Sequence, residues 1–259
     1  MKLMFVGDLV GSPGRQAFAR FATRYKAEKK VDVIIANAEN AAAGRGLTPP
    51  LADELFAAGA DALTLGDHTW DRKELIPYLD RERRVIRPAN FPPSAPGRGY
   101  TLIETGHGPV LVINLIGRVF MAAQDCPFRT ADEILKREDG RAQVIFVDMH
   151  CEATSEKIIM GRYLDGRVSA VAGTHTHVPT ADECILPHGT GYITDAGMTG
   201  PKDSVLGREV EPVLHRFLTG MPTKFDIAKD DVRMEGVLFD IDDTTGRTTK
   251  IKRISERME

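Results

Sequence analysis

The sequence predicts an α/β fold built on a largely parallel sheet covered by helices. Two observations carry this. The first third alternates apolar runs with helix-like segments, and each run is uniformly apolar rather than alternating with polar residues. Strands buried on both faces read this way, whereas half-exposed antiparallel strands do not. Each run also stops abruptly at polar residues, as strands do where they reach the rim of an open sheet.

Leu3 to Val6 reads as a buried strand ending at Gly7-Asp8. Pro13 then opens an amphipathic helix running to about Lys30, proline being favoured in a first helical turn. Val31 to Ala36 is a second strand, followed by Asn37-Ala38-Glu39-Asn40 and a small glycine-containing loop. Thr48-Pro49-Pro50 starts a helix to about Ala58, and Asp61 to Leu65 is a third strand ending in Gly66-Asp67-His68. Thr101 to Glu104 and Val110 to Leu115 flank a Gly/Pro turn, so part of the sheet is antiparallel. Val144 to Asp148 leads to His150, Thr154 to Tyr163 is a helix, and Val168 to Ala172 leads to His175 and His177. Gly191 to Thr194, Gly236 to Asp240 and Thr249 to Ile254 read as later strands, with His215 in a helix. The proline-rich stretch Pro88 to Gly99 is a long loop and a rim candidate, and Gly117 to Arg129 is a second irregular excursion. No linker or repeat divides residues 1–259, which are read as one domain.

The bulk properties narrow the function classes. At 42% hydrophobic and 27% charged residues with a formal net charge of -3, the chain offers no electrostatic reason to bind nucleic acid or membrane. No apolar run is long enough for a membrane span, and the N-terminal run stops at Asp8, too soon for a signal peptide. Three cysteines (Cys126, Cys151 and Cys184) without C-x-x-C spacing fit reduced thiols, so a cytoplasmic location is expected. A homo-oligomer, with the 88–99 loop closing the site or packing on another subunit, stays open.

The chemistry lies at the strand ends. Five of them deliver Asp8, Glu39, Asn40, Asp67, His68, His150, His175 and His177 to one rim. Singly, Asp8 reads as a helix cap and a lone histidine as a surface residue. Together they form a mixed carboxylate–imidazole set suited to Mn, Fe, Zn or Co. Residues His175 and His177 can point the same way at extended spacing. The set is too large for one ion and is better explained by two sharing a carboxylate. No P-loop is present, since Gly44-Arg45-Gly46 lacks the following Lys-Ser/Thr. A Cys151 nucleophile beside His150 is disfavoured because adjacent strand residues face opposite ways.

The order Gly7-Asp8, Glu39-Asn40, Gly66-Asp67-His68, Asn114 to Met121, Asp148-Met149-His150 and Gly173-Thr174-His175-Thr176-His177 resembles the calcineurin-like metallophosphoesterases, and more closely their YmdB-like branch of bacterial phosphodiesterases. The resemblance implies a sandwich of two mixed sheets flanked by helices (α-β-β-α layers). It implies one metal on Asp8, Glu39, Asn40 and His177, and a second on Glu39, Asp67, His150 and His175. Iron or manganese is the first expectation, in divalent or trivalent form, with zinc and cobalt as alternatives. His68 would approach the phosphate without binding metal. The implied reaction is hydrolysis of a small phosphodiester, such as a cyclic nucleotide, by a hydroxide bridging the two ions. Phosphomonoester hydrolysis and a low-activity, metal-binding regulatory role are the alternatives.

Two departures from the pattern matter. The wider superfamily has a first-motif histidine that Asp8-Leu9-Val10 lacks, so Asn40 would replace it. The residue before the catalytic histidine is usually Asn but here is Asp67. Its extra negative charge should hold metal more tightly and attract an anionic phosphate less. Arg118 could touch the phosphate or be a solvated loop arginine. Phe120 and Met121 could line a nucleobase pocket or plug the core. Thr69 and Asp71 are better read as helix caps than as partners of His68, and Trp70 as a core residue.

Overall fold

The computed structural model describes residues 1–259. The chain opens with β1 (Lys2–Val6), the two-residue β2 (Asp8–Leu9) and α1 (Gly11–Ala27), then β3 (Val33–Asn37), α2 (Pro49–Ala57) and β4 (Ala62–Thr64). A 3-10 turn (Lys73–Leu75) leads through α3 (Ile76–Leu79) to β5 (Val85–Ile86), and the hairpin β6 (Tyr100–Ile103) and β7 (Val110–Ile116) follows. Next come α4 (Pro127–Arg137), β8 (Val144–His150), α5 (Thr154–Leu164) and β9 (Ala170–Thr174). The remainder is β10 (Cys184–Ile185), β11 (Gly191–Ile193), β12 (Met198–Pro201), α6 (Val210–Thr219), β13 (Val232–Ile241) and β14 (Thr248–Arg257).

These strands form two mixed sheets. One runs β2-β12-β13-β1-β3-β4-β5, with β14 also paired to β13, and the other runs β10-β11-β9-β8-β7-β6. The β1-β3-β4-β5 and β7-β8-β9-β11 stretches are parallel, as uniformly apolar runs require. The hairpin at β6 and β7 is antiparallel, as its turn predicts.

Strand alternation sorts the core into three layers. Leu3, Phe5, Val33 and Ile35 of the first sheet meet Val110, Val112, Phe146 and Ala170 of the second in the central layer. Phe146 lies 4.8 Å from Phe5 and 6.2 Å from Phe239, ring centre to ring centre. Each such fully buried ring contributes about 1.5–3 kcal/mol. Met4, Val6 and Ile34 turn outward onto Phe18 and Phe21 of α1 and Leu55 of α2. Leu111, Val147 and Met149 turn outward onto Ile134 of α4 and Met160 of α5. The α-β-β-α sandwich expected from the family resemblance is therefore present, and its central layer needs no helix.

Several elements differ from the sequence reading. Strands β5, β10 and β12 are two to four residues long, too short to show a pattern, and β9 starts at Ala170 rather than Val168. Helix α4 begins at Pro127, inside the stretch read as irregular. The 88–99 loop is irregular as expected, but it is stapled down: the Arg87 guanidinium donates to the carbonyls of Pro88, Ala95 and Pro96. No helix is long and apolar enough to cross a membrane.

Candidate metal centre

The parallel strands of both sheets end on a common edge, and there the polar residues meet. Asp8 starts β2; Glu39 and Asn40 follow β3; Asp67 and His68 follow β4; His150 is the last residue of β8; His175 and His177 follow β9. Strand register sets His150 beside Thr174. Ligand atoms of Glu39, Asp67, His150 and His175 all lie within 4.8 Å of one another. His150 Nε2 is 3.1 Å from Glu39 Oε1, 3.0 Å from Asp67 Oδ1 and 3.1 Å from His175 Nδ1. Beside this group, His177 Nε2 lies 3.3 Å from Asn40 Nδ2 and 3.8 Å from Asp8 Oδ1. The structure thus brings all eight sequence-singled residues to one place, seven of them in two adjoining clusters joined by Glu39.

Each imidazole is oriented from behind. His150 Nδ1 donates to Thr174 Oγ1 (2.9 Å), whose hydroxyl donates to Asp148 Oδ1 (2.7 Å). His175 Nε2 lies 3.2 Å from Glu152 Oε2, and His177 Nδ1 donates to the Leu206 carbonyl (3.3 Å). In all three rings the outward nitrogen is engaged by an oxygen, so a ring that gives up its second proton presents the lone pair of its inward nitrogen to a metal ion.

Three observations test whether a cation fits. Asp8 Oδ1 is fully buried with no hydrogen-bond partner, while Oδ2 accepts the His175 amide (3.1 Å). A buried carboxylate oxygen is costly unless a donor or cation meets it. Two imidazole nitrogens, on His150 and His175, face each other with lone pairs that no neutral arrangement satisfies. Gly66 leaves the space: a Cβ there would collide with His150 Nε2 and Glu39 Oε2. Rotating the Asn40 amide by half a turn presents Oδ1 instead of Nδ2 to the same point. The donor set fits hard or borderline divalent ions.

The electrostatics agree. Burial opposes a charge on His150, but Glu39 and Asp67 outweigh it and raise its pKa well above the ordinary imidazole value. Burial likewise pushes Asp67 up, yet hydrogen bonds from His150 and His175 hold it far below the usual carboxylate range. Burial raises Asp8, with the His177 charge opposing. A cation entering here displaces a proton from His150, so binding is proton-coupled. The neutral, binding form of His150 becomes more populated as pH rises. Manganese should therefore bind more tightly at about pH 8 than at about pH 6, releasing about one proton. Calorimetry in two buffers of different ionisation enthalpy measures both quantities.

A support that the sequence reading missed lies under the His175-Thr176-His177 turn. His175 and His177 have φ of 94° and 63°, left-handed backbone that costs non-glycine residues of order 1–3 kcal/mol each. Thr176 between them is pinned: its Oγ1 donates to Asp195 Oδ2 (2.6 Å), as does its backbone amide (3.3 Å). Lys157 Nζ neutralises the same carboxylate at 2.7 Å, with both side chains essentially inaccessible. Asp195 follows an apolar strand just as the other acids do, so the same signal marked it; Lys157, on a helix, carried none. Lys157→Met should lower unfolding free energy by about 3–5 kcal/mol in urea, because it strands a buried charge. Asp195→Asn should weaken manganese binding; unchanged affinity would show that the turn holds without its clamp.

The remaining singled-out residues divide: Asp71, Thr69 and Phe120 are placed differently from their sequence reading, whereas Trp70, Arg118, Met121 and Cys151 fall on one that it offered. Asp71 is not a cap: its Oδ2 lies 3.3 Å from His68 Nδ1 and 2.9 Å from Arg45 Nε, so it orients His68. Thr69 closes its own turn by donating to the Gly66 carbonyl (2.6 Å) rather than capping a helix. Trp70 stacks on Phe91, 5.7 Å between centres, as a packing residue. Arg118 and Phe120 are solvent-exposed and line no part of the cleft beside the cluster, and Met121 packs on the outer core. Neither the 88–99 nor the 117–129 segment walls that cleft. Burial pushes the Cys151 thiol up to about 12, which removes it as a nucleophile. The cleft itself, about 500 Å³, runs from Glu39, His68, His175 and His177 to a wall containing Leu206, Phe217 and Phe225.

Comparison with known proteins places this arrangement. The family model described as YmdB-like protein matches residues 4–254. The chain belongs to the YmdB-like family. A relative from Bacillus subtilis (strain 168), named 2',3'-cyclic-nucleotide 2'-phosphodiesterase, is 48% identical over 254 residues, 98% of this chain and 96% of its own. A crystal structure of a hypothetical protein from Thermus thermophilus matches with TM-score 0.94 at 42% identity, covering 100% of both chains. That of a novel phosphatase from Mycoplasma pneumoniae matches with TM-score 0.93 at 32% identity, covering 99% of this chain and 93% of the other. The YmdB-like assignment agrees with the motif order and with the two-sheet sandwich.

Proposed function

We propose that this protein is a dinuclear metal-dependent phosphodiesterase that opens 2',3'-cyclic nucleotides. The observation that carries the reading is the pair of adjoining ligand clusters sharing Glu39 at the mouth of a cleft, with His68 beside them. Asp8, Asn40 and His177 with Glu39 would hold one ion, and Asp67, His150 and His175 with Glu39 the other, Fe or Mn being the preferred metals. Bound there, the ions supply Lewis acidity toward the phosphoryl oxygens and bring the pKa of water towards neutrality.

The protein groups do the rest. His68 has Nδ1 turned to Asp71 and its backbone amide bound to Glu39 Oε2 (3.0 Å), which leaves Nε2 for the substrate. As the oxygen of water bonds to phosphorus and the P–O2' bond breaks, the doubly protonated His68 ring, its Nδ1–H held on Asp71, would donate its Nε2 proton to the departing oxygen, and the proton lost by the water would restore the ring. Phe217, 84% exposed, and Phe225 offer aromatic faces on the far wall of the cleft, a surface suited to a nucleobase. The cyclic-nucleotide assignment is supported by this wall and by the name of the Bacillus subtilis relative.

The first test is turnover of bis(p-nitrophenyl) phosphate and 2',3'-cyclic AMP with added manganese, with chelated enzyme as control. His68→Ala should lower kcat by about 10²–10⁴-fold with little change in KM. Absence of turnover by folded, metal-loaded protein would sink the proposal. Asp67→Asn removes one negative charge next to the phosphate. It should weaken metal binding yet raise kcat at saturating manganese; a slower variant there would show that the carboxylate is no brake.

A further inference from the structure

We propose a second ligand site, for a small phosphorylated molecule, in the cavity at the lateral edge of the sandwich. This cavity of about 780 Å³ lies where the two sheets end on β5 and β6, under the C-terminal half of α4. It shares no lining residue with the metal cluster, and its size falls within the range of small-molecule sites. Six arginines line it. Three of them are committed: Arg84 to Glu82, Arg141 to Glu138, and Arg87 to three loop carbonyls. Arg83, Arg98 and Arg137 have no carboxylate within ion-pair distance.

Arg98 decides the matter. Only three buried side-chain nitrogen or oxygen atoms in the molecule lack a hydrogen-bond partner, and Arg98 Nε is one. The Asp8 Oδ1 orphan is answered by a cation. Arg98 Nε is sealed from solvent, so a ligand in the cavity would meet the terminal Nη1 and Nη2 of Arg98, which make no hydrogen bond and, as guanidinium N–H groups, can only donate. A phosphate group matches its planar fork and the charge of its unpaired neighbours. The same wall carries Glu104 and Glu133, neither paired with a cation, as acceptors for ligand hydroxyl or amino groups. Such a mixed lining suits a nucleotide or sugar phosphate better than a bare anion. Phe91 lines the cavity and stacks on Trp70, so this ring pair is the partition between the new site and the His68 turn.

Tungstate, a phosphate mimic, tests the site. Crystals of the metal-loaded protein soaked in tungstate should show tungsten against Arg98, whatever binds at the metal cluster. In solution, calorimetry should count one site more for the wild type than for Arg98→Met/Arg137→Met, whose turnover of bis(p-nitrophenyl) phosphate should be unchanged. Arg137→Met alone, at an exposed helix position that leaves folding intact, should weaken that site by about tenfold or more. Three results would overturn the proposal. One is no tungsten in the cavity. Another is tungsten in crystals without an extra solution site, which marks an adventitious ion only. The third is a dimer in sedimentation that the substitutions dissociate, which makes the cavity an interface between two copies.

Discussion

The site depends on three imidazole rings being held with one nitrogen of each aimed inward. Thr174, Glu152 and the Leu206 carbonyl engage the outer nitrogens of His150, His175 and His177. Turn any ring over and its neutral form would present an N–H, not a lone pair, to an ion among the carboxylates. Much of the surrounding structure serves this constraint. The buried Asp148 carboxylate backs Thr174 and is itself met by Thr64 and by Asn37 Nδ2 at 3.2 Å. Lys157 and Asp195 hold the strained turn that carries the other two rings.

Both halves of the sandwich are needed for this. Asp8, Glu39 and Asp67 come from the first sheet and His150, His175 and His177 from the second, so the central apolar layer fixes the distance between acid and base groups. A shift of one residue in strand register would turn each side chain to the opposite face. Phe5, Phe146 and Phe239 are thus as much a part of the site's geometry as its ligands, because they set the spacing of the sheets.

The fold and the residues that gather at the rim were readable because both follow from local pattern. Uniform apolar runs gave the parallel strands, and their polar endings gave Asp8, Glu39, Asn40, Asp67, His68, His150, His175 and His177. Partnerships between distant residues left no such trace. Asp71 looked like a cap until the turn placed it against His68. Lys157 reads as an ordinary helix residue, and only the tertiary fold buries it against Asp195. The cleft wall was sought at Phe120, near motif residues, but that side chain is 89% exposed and does not line the cleft, and Phe217 of α6 with Phe225 beyond it supplies the aromatic surface instead. Short edge strands such as β5 and β10 are likewise defined by their neighbours, not by their own composition.

One topological feature bears on how the protein comes to be made. β13, residues 232–241, is an inner strand of the first sheet, bonded to β1, β12 and β14. All eight rim residues, from Asp8 to His177, precede it. On a ribosome adding roughly 5–20 residues per second, several seconds separate the synthesis of His177 from that of Ile241. During that interval the acids and histidines are present without the completed sheet that spaces them, and an ion meeting them would find no finished geometry. A metal ion would therefore find its finished site only at the end of folding, after the late strand has entered, and the ions supplied at that moment would decide which metal is kept.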